Sequence, residues 1–263
     1  MSNLKQYIVL RKYLLNFLTI IFLFHSFCAK AQRGTVNYKL TINEKGLGRK
    51  MEQNLIIYFD KLSSVELRVK PKNPAGNIPV DDLNQVRVLK SGKPTFLYKD
   101  FSKKKILLSD YIGTNKILLT DTLNNFKWKI LKEKRKIGTL NCKKAETEFR
   151  GRLYEAWYTE DISIQNGPWK FCGLPGLILM VKDTKSDFVY ELTGIDLNAK
   201  FENKVIGIPV AYEKDKAVTY KEFRILYKKK LEDYFKLSKV EQTTPEGITG
   251  TINIHMPEKQ EKF

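Results

Sequence analysis

Gly167–Leu179 reads GPWKFCGLPGLIL, packing three glycines, two prolines, a tryptophan and a cysteine between two stretches with strand character. In Leu174, Pro175, Gly176, Leu177 the order Pro then Gly is that of a type II turn. Proline fixes φ at about −65° at the first central position, and glycine takes the positive φ at the second. Gly167 and Pro168 mark another bend, so Trp169–Cys172 lies between two reversals, with Trp169 and Phe171 two residues apart and able to point the same way. Leu177, Ile178, Leu179, Met180 and Val181 follow as an unbroken apolar run, the pattern of a strand covered on both faces. Two readings of Gly173–Ile178 and the aromatic residues before it stay open. The segment is either a rigid, aromatic-lined loop that touches a ligand or partner, or a structural plug that closes one end of a barrel or sheet. A phosphate cradle is disfavoured, because no lysine and hydroxyl follow the glycines and no helix pattern succeeds them.

Outward from this segment the chain alternates at strand period. Val36, Tyr38, Leu40 and Ile42, then Leu55, Ile57 and Phe59, then Val65, Leu67 and Val69 each place apolar residues on one sheet face. The stretch Pro71–Asp82, with three prolines and a glycine, reads as a surface loop. Strand-like runs resume at Val86–Leu89, Thr95–Tyr98, Lys105–Leu108, Lys116–Thr120 and Phe126–Ile130. Their close spacing favours an antiparallel meander, since a parallel crossover takes about a dozen residues or more. The clearest hairpin runs from Cys142 to Thr159 around Arg150, Gly151 and Arg152. On its second strand Tyr154, Ala156 and Tyr158 share one face and Leu153, Glu155 and Trp157 the other; the partner strand decides which is buried. Leu177–Val181 and Phe188–Leu197 form a further antiparallel pair across KDTKSD.

Thr219 with Glu222 is a capping box. It opens a helix over Thr219–Phe235, in which Phe223, Leu226, Tyr227, Lys230, Leu231 and Tyr234 recur at helical spacing. Ile248–Ile254 offers a last strand, and the tail PEKQEKF reads as frayed. The expected fold is mainly β: an antiparallel meander forming a curved sheet or half-barrel, with one amphipathic C-terminal helix packed on it, in a single domain over residues 32–263.

The first 31 residues set the expected compartment. Lys5, Arg11 and Lys12 precede an apolar run from Tyr13 to Phe27, and Ala29, Lys30, Ala31 follow as an A-x-A site, the layout of a signal peptide cleaved after Ala31. An uncleaved anchor and acylation at Cys28 are the alternatives; the run is interrupted by Asn16 and His25, and Phe27 stands where a lipobox needs a small residue. Cleavage would remove four basic residues and no acid, taking the net charge from +18 to +14. After export, anionic headgroups, acidic glycans or an acidic protein suit this charge better than nucleic acid. Clusters such as Lys103–Lys105, Lys132–Lys136 and Lys228–Lys230 also fit plain solvated surfaces. Loss of Cys28 leaves Cys142 and Cys172, an even pair in an oxidising compartment. A disulfide between them is expected, worth about 3.5–4 kcal/mol through chain entropy; two separate buried thiols are the alternative.

Enzymatic chemistry finds little support. After Ala31 one histidine remains, His255, with no Gly-x-Ser-x-Gly elbow and no set of zinc ligands. The carboxylate pairs Asp81/Asp82 and Glu160/Asp161 sit in turn-like sequence, and neighbours on a strand point to opposite faces. No catalytic residue, cofactor or metal is expected.

The stretch Gly138–Asp183, GTLNCKKAETEFRGRLYEAWYTEDISIQNGPWKFCGLPGLILMVKD, resembles the signature region of the GLPGLI family, also called the Porph_ging domain, secreted proteins of Gram-negative bacteria. Gly173, Leu174, Pro175, Gly176, Leu177 and Ile178 match the motif that names the family, and Cys-Lys-Lys-Ala, Gly-Arg, Ala-Trp-Tyr and Gly-Pro precede it in order. The resemblance implies an unknown function without established catalytic residues, and members encoded near outer-membrane import receptors. The expected role is therefore a non-enzymatic periplasmic or outer-membrane-associated accessory protein. It would bind an envelope partner, such as an import receptor system, through Trp157, Tyr158, Trp169 and Phe171, with peripheral membrane contact compatible with the charge. The alternative is a periplasmic carrier of a lipid or other hydrophobic ligand, with the Thr219–Phe235 helix as lid.

Overall fold

The computed structural model describes residues 33–69, 92–123, 126–238, 241–243, 249–251 and 259–261. The leader over residues 1–31, the loop 71–82 with its carboxylate pair, the strand 86–89 and His255 lie outside the described residues. One sheet holds β1 (Gly34–Glu44), β2 (Arg49–Phe59), β3 (Ser63–Arg68), β4 (Phe96–Asp100), β5 (Lys105–Ile112), β6 (Asn115–Thr122), β7 (Lys129–Ile137), β8 (Leu140–Phe149), β9 (Arg152–Thr159), β10 (Leu177–Asp183), β11 (Phe188–Asp196) and the two-residue β12 (Val218–Thr219). Their order is β12-β6-β5-β4-β3-β2-β1-β11-β10-β9-β8-β7. Two antiparallel meanders, β1–β6 and β7–β11, are thus joined where β1 pairs with β11. The short β12 pairs with β6 in parallel. It leads into α1 (Tyr220–Ser238), and β13 (Glu241–Thr243) pairs with β14 (Thr249–Thr251) apart from the main sheet.

Register sorts the side chains. Val36 and Tyr38 lie opposite Ile57 and Leu55, Leu97 opposite Leu108, and Leu108 opposite Leu119. These join Tyr154, Ala156, Tyr158 and Tyr190 from the other meander, and Phe223 and Tyr227 from α1, in one buried cluster. Strands so far apart in the sheet share a cluster only if the sheet curls around it. The curved sheet with a helix on it is the expected architecture. Val65, Phe96 and Leu118 point to the opposite face, where Tyr212 covers them and donates its hydroxyl to the Pro94 carbonyl at 2.8 Å. The β3–β6 region is therefore packed on both faces. On β9 the buried face is that of Tyr154, Ala156 and Tyr158.

Four expectations change. The strand placed at Phe126–Ile130 is instead β7, beginning at Lys129. Phe126 and Trp128 turn inward, with ring centroids 4.4 Å from Phe149 and 6.2 Å from Phe171 respectively. As an edge strand β7 buries little and carries Lys132, Lys134, Arg135 and Lys136 on exposed positions, charges that guard an open edge and erase the alternation cue. On α1 the buried stripe is Phe223 and Tyr227 with Leu231 alongside, while Leu226 is exposed. Within the tail, residues 259–261 are not frayed: Glu261 is buried. The Cys142–Cys172 disulfide is not formed, and both are buried thiols. Cys142 pairs with Arg135, whose guanidinium lies over the outer-face Trp157, whereas Cys172 sits in the loop beside Lys99 on the inner face.

Candidate functional site

The segment between β9 and β10 lies inside the curl and is pinned from the far meander. Lys99, on the inward parity of β4 with Leu97, is 1% exposed and donates to Asn166 Oδ1 (2.9 Å), Gly167 O (2.8 Å) and Phe171 O (2.9 Å). An ammonium has three protons, and here each meets an acceptor from one loop. Burial lowers its pKa to about 8, opposed by Cys172 and Glu66, so at neutral pH the third proton is retained. Next along, the Trp169 amide donates to Glu66 Oε2 at 2.6 Å and Trp169 takes a left-handed φ of 48°, unusual for a bulky residue. The carboxylate holds the backbone there. Burial raises the Glu66 carboxyl above its ordinary value, against the pull of Lys99, the Trp169 amide and Arg68. Glu66 keeps some accessible surface because that surface is the wall of a cavity.

The Pro175–Gly176 corner departs from a type II turn. The Gly176 amide donates to Leu174 O at 2.8 Å, a tighter reversal centred on Pro175, and the Leu177 amide goes to Ile162 O at 3.2 Å. Glycine is needed for closeness: a Cβ on Gly176 would stand 1.9 Å from the Thr159 carbonyl oxygen.

The cavity, about 380 Å³ and partly open, lies between the inner sheet face, the loop and α1. Leu40, Leu55, Leu97, Leu108 and Leu119 from the sheet and Phe223 from α1 make an apolar wall, and Trp169, Lys170 and Tyr220 close one side. Residues 259–261 supply part of the lining. Lys259 pairs with Asp110, Gln260 Nε2 donates to Tyr190 Oη at 2.6 Å, and the Tyr154 hydroxyl donates to Gln260 O at 2.6 Å. The guanidinium of Arg152 reaches Lys259 O at 3.0 Å and also bridges Asp183 and Asp187, each at 3.1 Å.

Beside the cavity stands a buried ionic group. Arg150 chelates Asp121 through two bonds of 2.8 Å and reaches Glu261 Oε1 at 2.7 Å. Lys170 reaches the same two acids, at 2.8 and 2.6 Å. Burial alone would raise the Asp121 carboxyl, but Arg150 and Lys170 outweigh it and hold it below the ordinary range. The Arg150 guanidinium also lies 3.4 Å from the Tyr220 ring centroid, tying α1 to this group.

Of the aromatic residues singled out in the sequence, Trp169 lines the cavity, Phe171 and Tyr158 are buried in the core, and Trp157 is half-buried on the outer face. Glu160 pairs with Lys143 at 2.7 Å and Asp161 accepts the Asn141 amide at 3.0 Å, so this carboxylate pair is spent on fastening the hairpin end. Among the described residues no group of three or more His, Cys, Asp or Glu is placed to hold a metal ion, and no helix is long and apolar enough to cross a membrane. Lys99, Glu66, Lys170 and Glu261 were not singled out in the sequence, and Arg150 was read only as a turn residue.

Residues 150–180, the second strand of the hairpin and the pinned loop, match the family model Porph_ging, described as a protein of unknown function. Over this stretch the chain is similar to the Porph_ging, or GLPGLI, family. No curated protein matches the sequence. Among solved structures, PNGF-II in its P21 crystal form superposes with a TM-score of 0.51 at 17% identity, covering 76% of this chain and 34% of that one. The present chain thus spans about a third of PNGF-II, and the likeness concerns the fold. A LolA superfamily protein from Nitrosomonas europaea aligns at a TM-score of 0.32 and 9% identity, covering 68% of this chain and 91% of that one. A putative outer membrane lipoprotein-sorting protein domain from Vibrio parahaemolyticus aligns at 0.28 and 6%, with the same coverage. These last two are too loose to carry an argument. The Porph_ging segment is what the far half of the sheet grips through Lys99 and Glu66.

Proposed function

We propose that the chain is a non-catalytic binding protein of the cell envelope that holds a hydrophobic ligand in the concavity between its sheet and α1. The observation that carries this reading is the cavity. Its volume of about 380 Å³ falls within the roughly 300–1,000 Å³ of small-molecule sites. Its walls combine leucines from the β1–β6 meander with polar and charged groups such as Glu66, Lys170 and Glu261, the mixed composition that such sites share. The envelope location rests on the leader-like residues 1–31. Burial of Tyr158, Trp169 and Phe171 removes the exposed aromatic face that direct docking of an envelope partner would use, leaving Trp157 alone on the outside. In this reading the Porph_ging loop is a fixed wall of the site, and α1 is its movable side.

Native mass spectrometry of the protein purified from its own cells under mild conditions tests the reading. A bound lipid or other apolar molecule that leaves on denaturation is the expected result. An empty protein that co-purifies with an outer-membrane component would return the accessory-partner reading in its place.

A further inference from the structure

Most of the cavity wall comes from the sheet, the loop and α1; Lys259–Glu261 is different in kind. It touches that wall through hydrogen bonds, ion pairs and the Lys259 ammonium over the Phe223 and Tyr227 rings, and at its end the Glu261 carboxylate sits between Arg150 (2.7 Å) and Lys170 (2.6 Å). Lys170 is 3% exposed, so its charge needs a partner in place. Asp121 compensates one of the two cations and Glu261 the other. With Glu261 withdrawn, the group would carry a net charge of one positive unit beside an apolar chamber.

We propose that Arg150 and Lys170 form the headgroup site for an amphiphile with a single anionic head, a carboxylate or a phosphate, whose chain occupies the cavity. Glu261 is the internal stand-in for that head. Ligand entry exchanges one carboxylate for another anion at the same two cations, so no buried charge is left bare at any stage, and Lys259 leaves Asp110 for water as the strap departs. Tyr220, stacked on Arg150, keeps the guanidinium facing the site and places α1 where it senses the exchange. The inference rests on the cavity-binding reading and adds to it the sign and number of charges on the ligand.

The test uses the purified protein and two fluorescent probes, a fatty acid and its methyl ester, which share a chain and differ in the charge of the head. The acid should bind about tenfold or more tightly than the ester, the scale of a lost charge-assisted contact. Glu261→Gln should tighten the acid several-fold and leave the ester unchanged, because the competing charge is gone while an amide still fills the place. Lys170→Met should bring the acid down to the ester's affinity, with circular dichroism checking that it folds. Competition by dodecanoate and by dodecyl phosphate then tells which anion is preferred. If both probes bind alike and Glu261→Gln leaves their ratio unchanged, the headgroup site is wrong while the cavity reading stands. If neither probe binds the folded protein, the cavity reading falls first.

Discussion

At the scale of single residues, Lys99 shows how a charge can act as a fastener. Its three bonds all end on one loop, so Lys99→Met would take the donor from the buried Gly167 and Phe171 carbonyls and leave Asn166 Oδ1 with the Gly167 amide alone. The expected cost is about 3 kcal/mol or more, read as a lowered midpoint in denaturant unfolding; an unchanged midpoint would refute the pin. Asp121 supplies the pH dependence. Its folded pKa is depressed, so its contribution to stability is present above the unfolded value of about 3.9 and is lost as pH falls toward the folded value. Wild type should therefore lose stability steeply below about pH 4, and Asp121→Asn should be less stable at neutral pH with a shallower acid slope. Neither residue was legible in the sequence. Lys99 shares the parity of Leu97, a conflict that marks an inward lysine, but β4 and β6 contribute to buried clusters on both faces, and there alternation no longer says which face is inside.

Among the elements, α1 was the most legible. Its capping box forms as expected, with the Thr219 amide donating to Glu222 Oε2 at 2.7 Å and the Glu222 amide to Thr219 Oγ1 at 3.2 Å. Thr219→Ala should cost about 1 kcal/mol, seen as a small drop in thermal midpoint with helicity frayed at this end; full retention of both would argue that Tyr220–Arg150 stacking alone anchors the helix. The strands of the two meanders were legible too, wherever one face is apolar and the other polar. What failed was local: β7 has no apolar face to show, and the Pro175–Gly176 corner obeys its contact with Thr159 rather than the dihedral preference of an isolated turn.

For the whole molecule, the curl decides what the sequence could not. A cavity exists because the β9–β10 loop and α1 close over the inner face of β1–β6, and no local pattern encodes that meeting. Cys142 and Cys172 are both buried yet not bonded to each other, although their number suggested a bridge. A reductant should leave the thermal midpoint unchanged, and alkylation of the denatured, unreduced protein should label both thiols; a reductant-induced drop would restore the staple. The placing of β1 has a further consequence, in time rather than in space. The first strand among the described residues, β1, is an interior strand of the sheet, flanked by β2 on one side and by β11 on the other. A chain made from its N-terminus can therefore zip β1–β6 early, yet one edge of β1 stays bare until β11 has emerged. Pairing at such sequence separation is slow, and an open edge invites foreign strands. The step at which this protein is most exposed to aggregation is the wait for β11 to arrive.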